Sequence, residues 1–346
     1  MTKTPDPLSL LAFVVAALAA ACGGDSGPRT LEIGGPTMGA TWAVQLATRS
    51  RTPSADEVEG LRQAIADDLA RINALMSTWD PDSELSRFNQ SRSLEPFPVA
   101  PETLEVFRWA RTLSGETGGA FDVTVGPLVD AWGFGAHGDR EAKPDADAIA
   151  QLLESTGMRH LDLDPDGQWV RKRRPDVRCD VSGLVPGYAA DRVAELLSKR
   201  GFSDFLVDVG GEIVARGHND ADTPWRVAVE LPDPSAGPAA ERVVSLTDAA
   251  VATSGDYRNY REIDGERVAH ILDPRTGHPV PHALASVTVI DTLGVRADAL
   301  ATALMVLGTE EGLALAERLN VAALLLARRP GGGFDARAST RFKAMD

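Results

Sequence analysis

The sequence predicts an α+β fold. Amphipathic helical stretches and short alternating strands follow one another without the regular strand–helix–strand order of a doubly wound parallel sheet, and no short-period repeat runs through the chain. Its 346 residues could hold two average domains or one large one, and either buries a substantial core without disulfide staples.

The elements follow in order. Residues 23–30 read as a linker, and Leu31-Glu-Ile-Gly-Gly leads into Met38–Leu46, which alternates like a half-buried strand. Ser54-Ala-Asp-Glu57 is a capping box, and Val58, Leu61, Ile65, Leu69, Ile72 and Leu75 recur at three- and four-residue spacing, so a long helix ends near Met76. A second helix spans Pro101 to Ser114 and stops before Gly118-Gly119, with Pro tolerated where the first-turn N–H is unpaired anyway. Gly133 to Asp147 has neither period and reads as a loop. Gly187 to Lys199 reads as a helix, Asp204 to Ala215 as a strand broken by a Gly pair, and Leu231 to Ala240 as an exposed hairpin loop. A strand over Ser286–Ile290 leads to helices over Ala297–Val306 and Glu310–Leu319, then a strand over Val321–Ala327.

Residues 10–21 are apolar but far short of the ~20 needed to span a bilayer, so they read as a signal-peptide core. Cys22 follows small residues and precedes a Gly/Ser tether, the pattern of a bacterial lipoprotein acylation site; plain cleavage with export and an uncleaved anchor are the alternatives. The domain plan is thus a signal peptide over 1–21, a lipidated Cys with its tether over 22–30, and one domain over 31–346. With Cys22 acylated, Cys179 has no partner and reads as a small buried residue in a strand, and two cysteines cannot build a structural zinc site. The net charge of −15 and the lack of a basic stripe exclude nucleic-acid binding. The one basic run, Arg171-Lys-Arg-Arg174, reads as a solvated turn.

Asp298 and Thr302 stand four residues apart, so on a helix their oxygens share one face, with Leu300, Leu304 and Leu307 on the other. The spacing alone leaves two readings. Asp298 caps a helix in which Thr302 packs, or the two are hard oxygen ligands for Mg²⁺. Gly183 lies in the Gly-containing run Asp180-Val-Ser-Gly-Leu-Val-Pro-Gly-Tyr-Ala-Ala-Asp191, just before the helix expected from Gly187. Trp79 reads as a core residue or a stacking face, and His270 as a structural histidine or a proton acceptor near neutrality.

Ala250-Val-Ala-Thr-Ser-Gly-Asp-Tyr-Arg-Asn-Tyr260, His270-Ile-Leu-Asp-Pro-Arg-Thr-Gly-His-Pro279, and the blocks Met76–Asn89, Thr117–Phe134, Asp180–Asp191 and Arg296–Gly308, in this order, closely resemble the signature of the ApbE-like FAD:protein FMN transferases. The resemblance runs from about Met38 to Leu326 and implies one compact α+β unit of two related subdomains with the cofactor site between them. It implies Mg²⁺ held by Asp298, Thr302 and the Gly183 carbonyl, and FAD, as substrate, contacted by Met38, Trp79, Ala120, Phe121, Asp122, Asp180, Pro186 and Ile271. Pro186 stands where the family usually carries Lys, and Trp79 where it usually carries Tyr. His270 and Asp298 are the implied catalytic residues, His270 activating the acceptor hydroxyl; His278 is a weaker candidate, and Asp256 would bind metal or orient substrate. The implied reaction moves FMN from FAD to a Ser or Thr of an acceptor flavoprotein, such as a subunit of a membrane redox complex, and releases AMP. The enzyme would be exported and lipid-anchored, facing the periplasm. An FAD diphosphatase and a non-catalytic FAD-binding lipoprotein are the rival readings.

Overall fold

The computed structural model describes residues 30–49, 51–136, 142–232, 240–256, 260–263 and 266–345. The leader, Cys22 and its tether, His137 and most of the Leu231–Ala240 excursion lie outside the described residues.

Eight strands form one sheet in which spatial order follows sequence order: β1 (Leu31–Thr37), β2 (Ala40–Leu46), β3 (Phe205–Val209), β4 (Glu212–Arg216), β5 (Ala249–Gly255), β6 (Leu284–Asp291), β7 (Ala322–Arg328) and β8 (Phe334–Ala338). Every neighbouring pair is antiparallel. Antiparallel neighbours need no crossover helix, so helices enter as excursions, which is why the sequence lacks βαβ alternation. Three long helices fill the β2–β3 excursion: α1 (Ala55–Met76), α2 (Pro101–Glu116) and α3 (Val185–Lys199). A fourth, α4 (Gly294–Arg318), joins β6 to β7.

Both faces of the sheet are covered. Phe205, Val207, Val209, Val214, Val287, Val289 and Leu325 face the helices, while Leu206, Ile213, Ala215, Ile290, Leu324 and Leu326 face the antiparallel pair Trp225–Glu230 and Ala240–Leu246 and the short helix Thr340–Lys343. That double cover explains the nearly unbroken apolar runs of β3, β6 and β7.

Helix α1 forms where expected, with one half of the capping box made: the Ser54 hydroxyl accepts the Glu57 N–H at 3.3 Å while the Glu57 carboxylate pairs with Arg51, and Leu61, Ile65, Leu69, Ile72 and Met76 are the buried stripe. The single strand expected over Met38–Leu46 is instead the second half of a hairpin. Met38 and Gly39 form its two-residue turn, with φ of 45° and 73°, the left-handed geometry that tight hairpins need. Helix α4 begins at Gly294, three residues before the expected Ala297. Leu293 gives it no side-chain cap; Asp191 of α3 does, accepting the N–H groups of Gly294 at 2.8 Å and Val295 at 2.9 Å. A cap supplied from 103 residues away leaves no local signal. The expected gap between two helices is a break inside α4 at Gly308, whose φ of 77° interrupts the helical backbone.

Two smaller expectations change. Lys172 is 2% exposed rather than solvated, because Trp169–Lys172 is a strand whose alternation turns Val170 and Lys172 inward and leaves Arg171 and Arg173 to pair with Asp162. Cys179 is buried as expected but lies in an unladdered extended segment; the Asn89 side chain substitutes for a partner strand, accepting from Cys179 N at 2.7 Å and donating to Cys179 O at 2.8 Å. The registers place the Met38-Gly39 turn, the Gly210-Gly211 turn and the end of β5 at one end of the sheet. Leu31, Leu46, Phe205 and Arg216 mark the opposite end.

Candidate active site

A cavity of about 320 Å³ sits where β5 ends and α3 and α4 begin. Asp298, Thr302 and Val306 reach it from one face of α4, at successive four-residue steps. Asp180, Gly183 and Pro186 reach it from the turn into α3, and Ala120, Phe121 and Asp122 from the segment after α2. His270 and Ile271 complete the wall, His270 with its ring edge-on to Phe134 at 6.3 Å between centroids. Of the residues expected from the sequence, Met38 and Trp79 do not line the cavity. Met38 occupies the β1–β2 turn, at the sheet end where β5 finishes. Trp79 is 70% exposed, which removes the core-tryptophan reading.

Asp298 is buried, and its role differs from the local cap that spacing allowed. It lies one turn inside α4 and caps the other helix, its Oδ2 accepting the N–H of Gly187 in the first turn of α3 at 3.0 Å. Burial raises its pKa, the Gly187 bond opposes that shift, and the nearby Asp191 adds to it. The Thr302 hydroxyl stands 3.1 Å from the Ser254 hydroxyl. A Cβ added to Gly183 would lie 3.3 Å from Thr302 Oγ1, so the turn backbone and that hydroxyl are immediate neighbours. One carboxylate, two hydroxyls and a close backbone turn make an oxygen-only set suited to a hard cation. Among the described residues no three His, Cys, Asp or Glu side chains cluster as a metal site, so any cation here draws on hydroxyl and backbone oxygens.

Other acidic groups are already committed. Asp122 accepts from Thr124 N and Oγ1, Met158 N and Ser114 Oγ, so its carboxylate holds the cavity wall together. Asp180 accepts Ser182 N at 2.9 Å, shaping the turn that presents Gly183. Asp256 lies outside the cavity lining, its two oxygens clasped by Arg328 at 2.5 and 2.7 Å. His278 also lies outside it, edge-on to Trp132 at 6.0 Å.

Sequence reasoning missed Ser254 and Glu212 as cavity residues. Both had a signal, Ser254 opening the Ser-Gly-Asp-Tyr run and Glu212 following the Gly210-Gly211 turn. Among the described residues lining the cavity there are four carboxylates, Asp122, Asp180, Glu212 and Asp298, and no Lys or Arg.

Fold and cavity together define an α+β protein whose binding site gathers oxygen donors at a helix crossing. Comparison with known proteins supplies the particular group. The model of the ApbE family matches residues 38–325. The FAD:protein FMN transferase of Vibrio cholerae serotype O1 is 40% identical over 313 residues, covering 90% of this chain and 92% of its own length. That of Escherichia coli K12 is 38% identical, covering 90% and 88%. The solved structure of the flavin transferase ApbE from Vibrio cholerae superposes with a TM-score of 0.83 at 38% identity, covering 92% of this chain and all of that one. The apo flavinyl transferase ApbE of Pseudomonas stutzeri gives 0.83 at 38% identity, covering 92% and 97%. The chain belongs to the ApbE family.

Proposed function

We propose that this protein transfers FMN from FAD to a Ser or Thr hydroxyl of an acceptor flavoprotein, forming a phosphoester bond and releasing AMP. The family membership supports the reaction, and one observation on this chain carries the mechanism: among the described residues lining the cavity assigned to a dianionic diphosphate there are four carboxylates and no Lys or Arg. Such a site requires a cation to balance charge. The oxygen set of Asp298, Thr302 and the Gly183 carbonyl fits Mg²⁺, and the bound ion would supply charge neutralisation at the diphosphate.

The residues then divide the work. Asp298 is held by Gly187 through one oxygen, leaving the other for the cation. Phe121, Ile271 and the exposed Trp79 offer apolar and aromatic surface for the flavin side. His270 accepts the proton of the acceptor hydroxyl as its oxygen bonds to the FMN-side phosphorus, and the bond from that phosphorus to the AMP oxygen breaks. Pro186 gives the cavity no hydrogen-bonding side chain, so the AMP side is held chiefly by backbone and cation.

The leader and Cys22 support an exported protein, lipid-anchored and facing the periplasm, with acceptors such as subunits of membrane redox complexes in the same compartment. The test incubates the protein with FAD, Mg²⁺ and a Ser/Thr-bearing acceptor, then looks for flavin fluorescence on the acceptor in a denaturing gel. Covalent fluorescence is expected. Free FMN with no labelled acceptor would select the diphosphatase instead, and intact FAD would select a binding protein.

A further inference from the structure

We propose that Asp191 is a positioning residue for the metal-binding edge of the cavity, acting through the junction of α3 and α4. The proposal rests on the reading of Asp298 and Thr302 as cation ligands.

Asp191 spans the gap between the helices, with one carboxylate oxygen on Gly294 N and the other on Val295 N. Asp298 returns the contact by accepting Gly187 N. Each helix therefore has its first turn held by a carboxylate of the other, and the three bonds make a reciprocal clasp that neither helix could form alone. A Ser at position 293 would satisfy the start of α4 locally. A carboxylate reaching from α3 does something further, because it sets where α4 begins relative to the turn bearing Gly183.

The backbone leaves little room for slippage. A Cβ on Gly294 would stand 2.5 Å from Gly187 O, and one on Gly187 would stand 2.8 Å from Asp298 Cβ and overlap the Gly294 carbonyl. The helices thus cross in direct backbone contact, with Asp191 and Asp298 flanking the contact. Advancing α4 by one residue rotates its side chains by roughly 100°, which would carry Asp298 and Thr302 off the cavity wall. Asp191 touches neither the cavity nor the reacting atoms, yet the separation of Thr302 from Gly183 depends on it. Groups that orient ligands in this way commonly change metal affinity by about 10- to 100-fold when removed.

The test uses Mn²⁺ as a hard-cation probe that paramagnetic resonance detects, titrated into the whole folded domain of the parent, Asp298→Ala and Asp191→Asn at a temperature where circular dichroism shows all three folded. Asn keeps one acceptor oxygen and loses the second. Expected are loss of binding in Asp298→Ala and at least tenfold weaker binding in Asp191→Asn with its helix content intact. Should Asp191→Asn not fold, Asp191→Glu serves, since it keeps the charge and both acceptors but moves them by one methylene, and the same tenfold loss is expected. Binding within twofold of the parent in the Asp191 variant, with Asp298→Ala inactive in binding, would overturn the positioning role alone. Equal binding by the parent and Asp298→Ala, or none by the parent, would overturn the metal assignment beneath it.

Discussion

Replacing Gly187 by Ala distinguishes a helix crossing in backbone contact from an ordinary helical glycine. In an ordinary helix interior the change stabilises by up to about 1 kcal/mol, because Gly costs more backbone entropy. Here the new Cβ would lie 2.8 Å from Asp298 Cβ, closer still to the Gly294 carbonyl, and ordinary contact begins at 3.4 Å. Relief requires α3 and α4 to separate by roughly 1 Å, which would stretch the 3.0 Å Gly187–Asp298 bond beyond hydrogen-bonding range. Overpacking of this kind costs about 1–3 kcal/mol, and a hydrogen bond to a charged group contributes about 1.5–3 kcal/mol. Set against the propensity gain, the net loss is about 1.5–5 kcal/mol, or a fall of roughly 2–8 °C in Tm for a domain of this size. The same displacement moves Asp298 by a distance that can lower turnover by about 100-fold. Thermal unfolding followed by circular dichroism, with FMN transfer measured well below Tm, checks both. An unchanged or higher Tm with full transfer activity would refute the close-contact argument.

Asp298→Ala should abolish metal-dependent transfer while flavin still binds and quenches, and unchanged transfer would count against the metal assignment. Trp79→Ala should weaken FAD binding by about 1–2 kcal/mol, seen as a roughly 5- to 30-fold rise in Kd. Because that side chain is 70% exposed, Tm should not move; a large fall would show that it packs structurally. Lys172 gives a pH signature. Burial depresses its pKa to about 8, while its ammonium donates to Asn89 O at 3.2 Å and Ser91 O at 2.7 Å and lies 4.7 Å from the Phe88 ring centroid. The unfolded chain keeps the proton up to about pH 10.5, so between pH 8 and 10.5 the unfolded state binds more protons and this residue's contribution to stability rises with pH, by up to about 3 kcal/mol. Denaturant unfolding at pH 7.5 and 10 should show that rise, and Lys172→Met should flatten it; an identical pH slope in the variant would rule out Lys172 as its source.

What the sequence disclosed and what it hid divide along one line. Features specified within a few residues were legible: the Ser54 N-cap, the stripe from Leu61 to Ile72, the Gly pair between β3 and β4, and the interruption between Val306 and Glu310. The cavity residues were legible only as motifs, since nothing local in Asp298 and Thr302 separates ligand from helix filler. Features set by distant partners were hidden. The start of α4 depends on Asp191, the inward turn of Lys172 on strand pairing with Leu161–Leu163, and the extended path at Cys179 on Asn89. Met38 was misplaced for a different reason: a non-glycine residue at φ 45° gives no warning that a hairpin turns there.

The direction of β1 has a consequence for how the enzyme meets other proteins. The chain enters the sheet at Leu31, and the seven residues of β1 run toward the end where the cavity lies, a span of roughly 23 Å. The segment before Leu31 therefore joins the sheet at the end opposite the cavity. With Cys22 acylated, the eight residues from 23 to 30 extend that standoff by at most about 28 Å. Under that proposed anchoring the cavity would face away from the bilayer, and acceptors whose reactive hydroxyl projects above the lipid headgroups would be the ones within its reach.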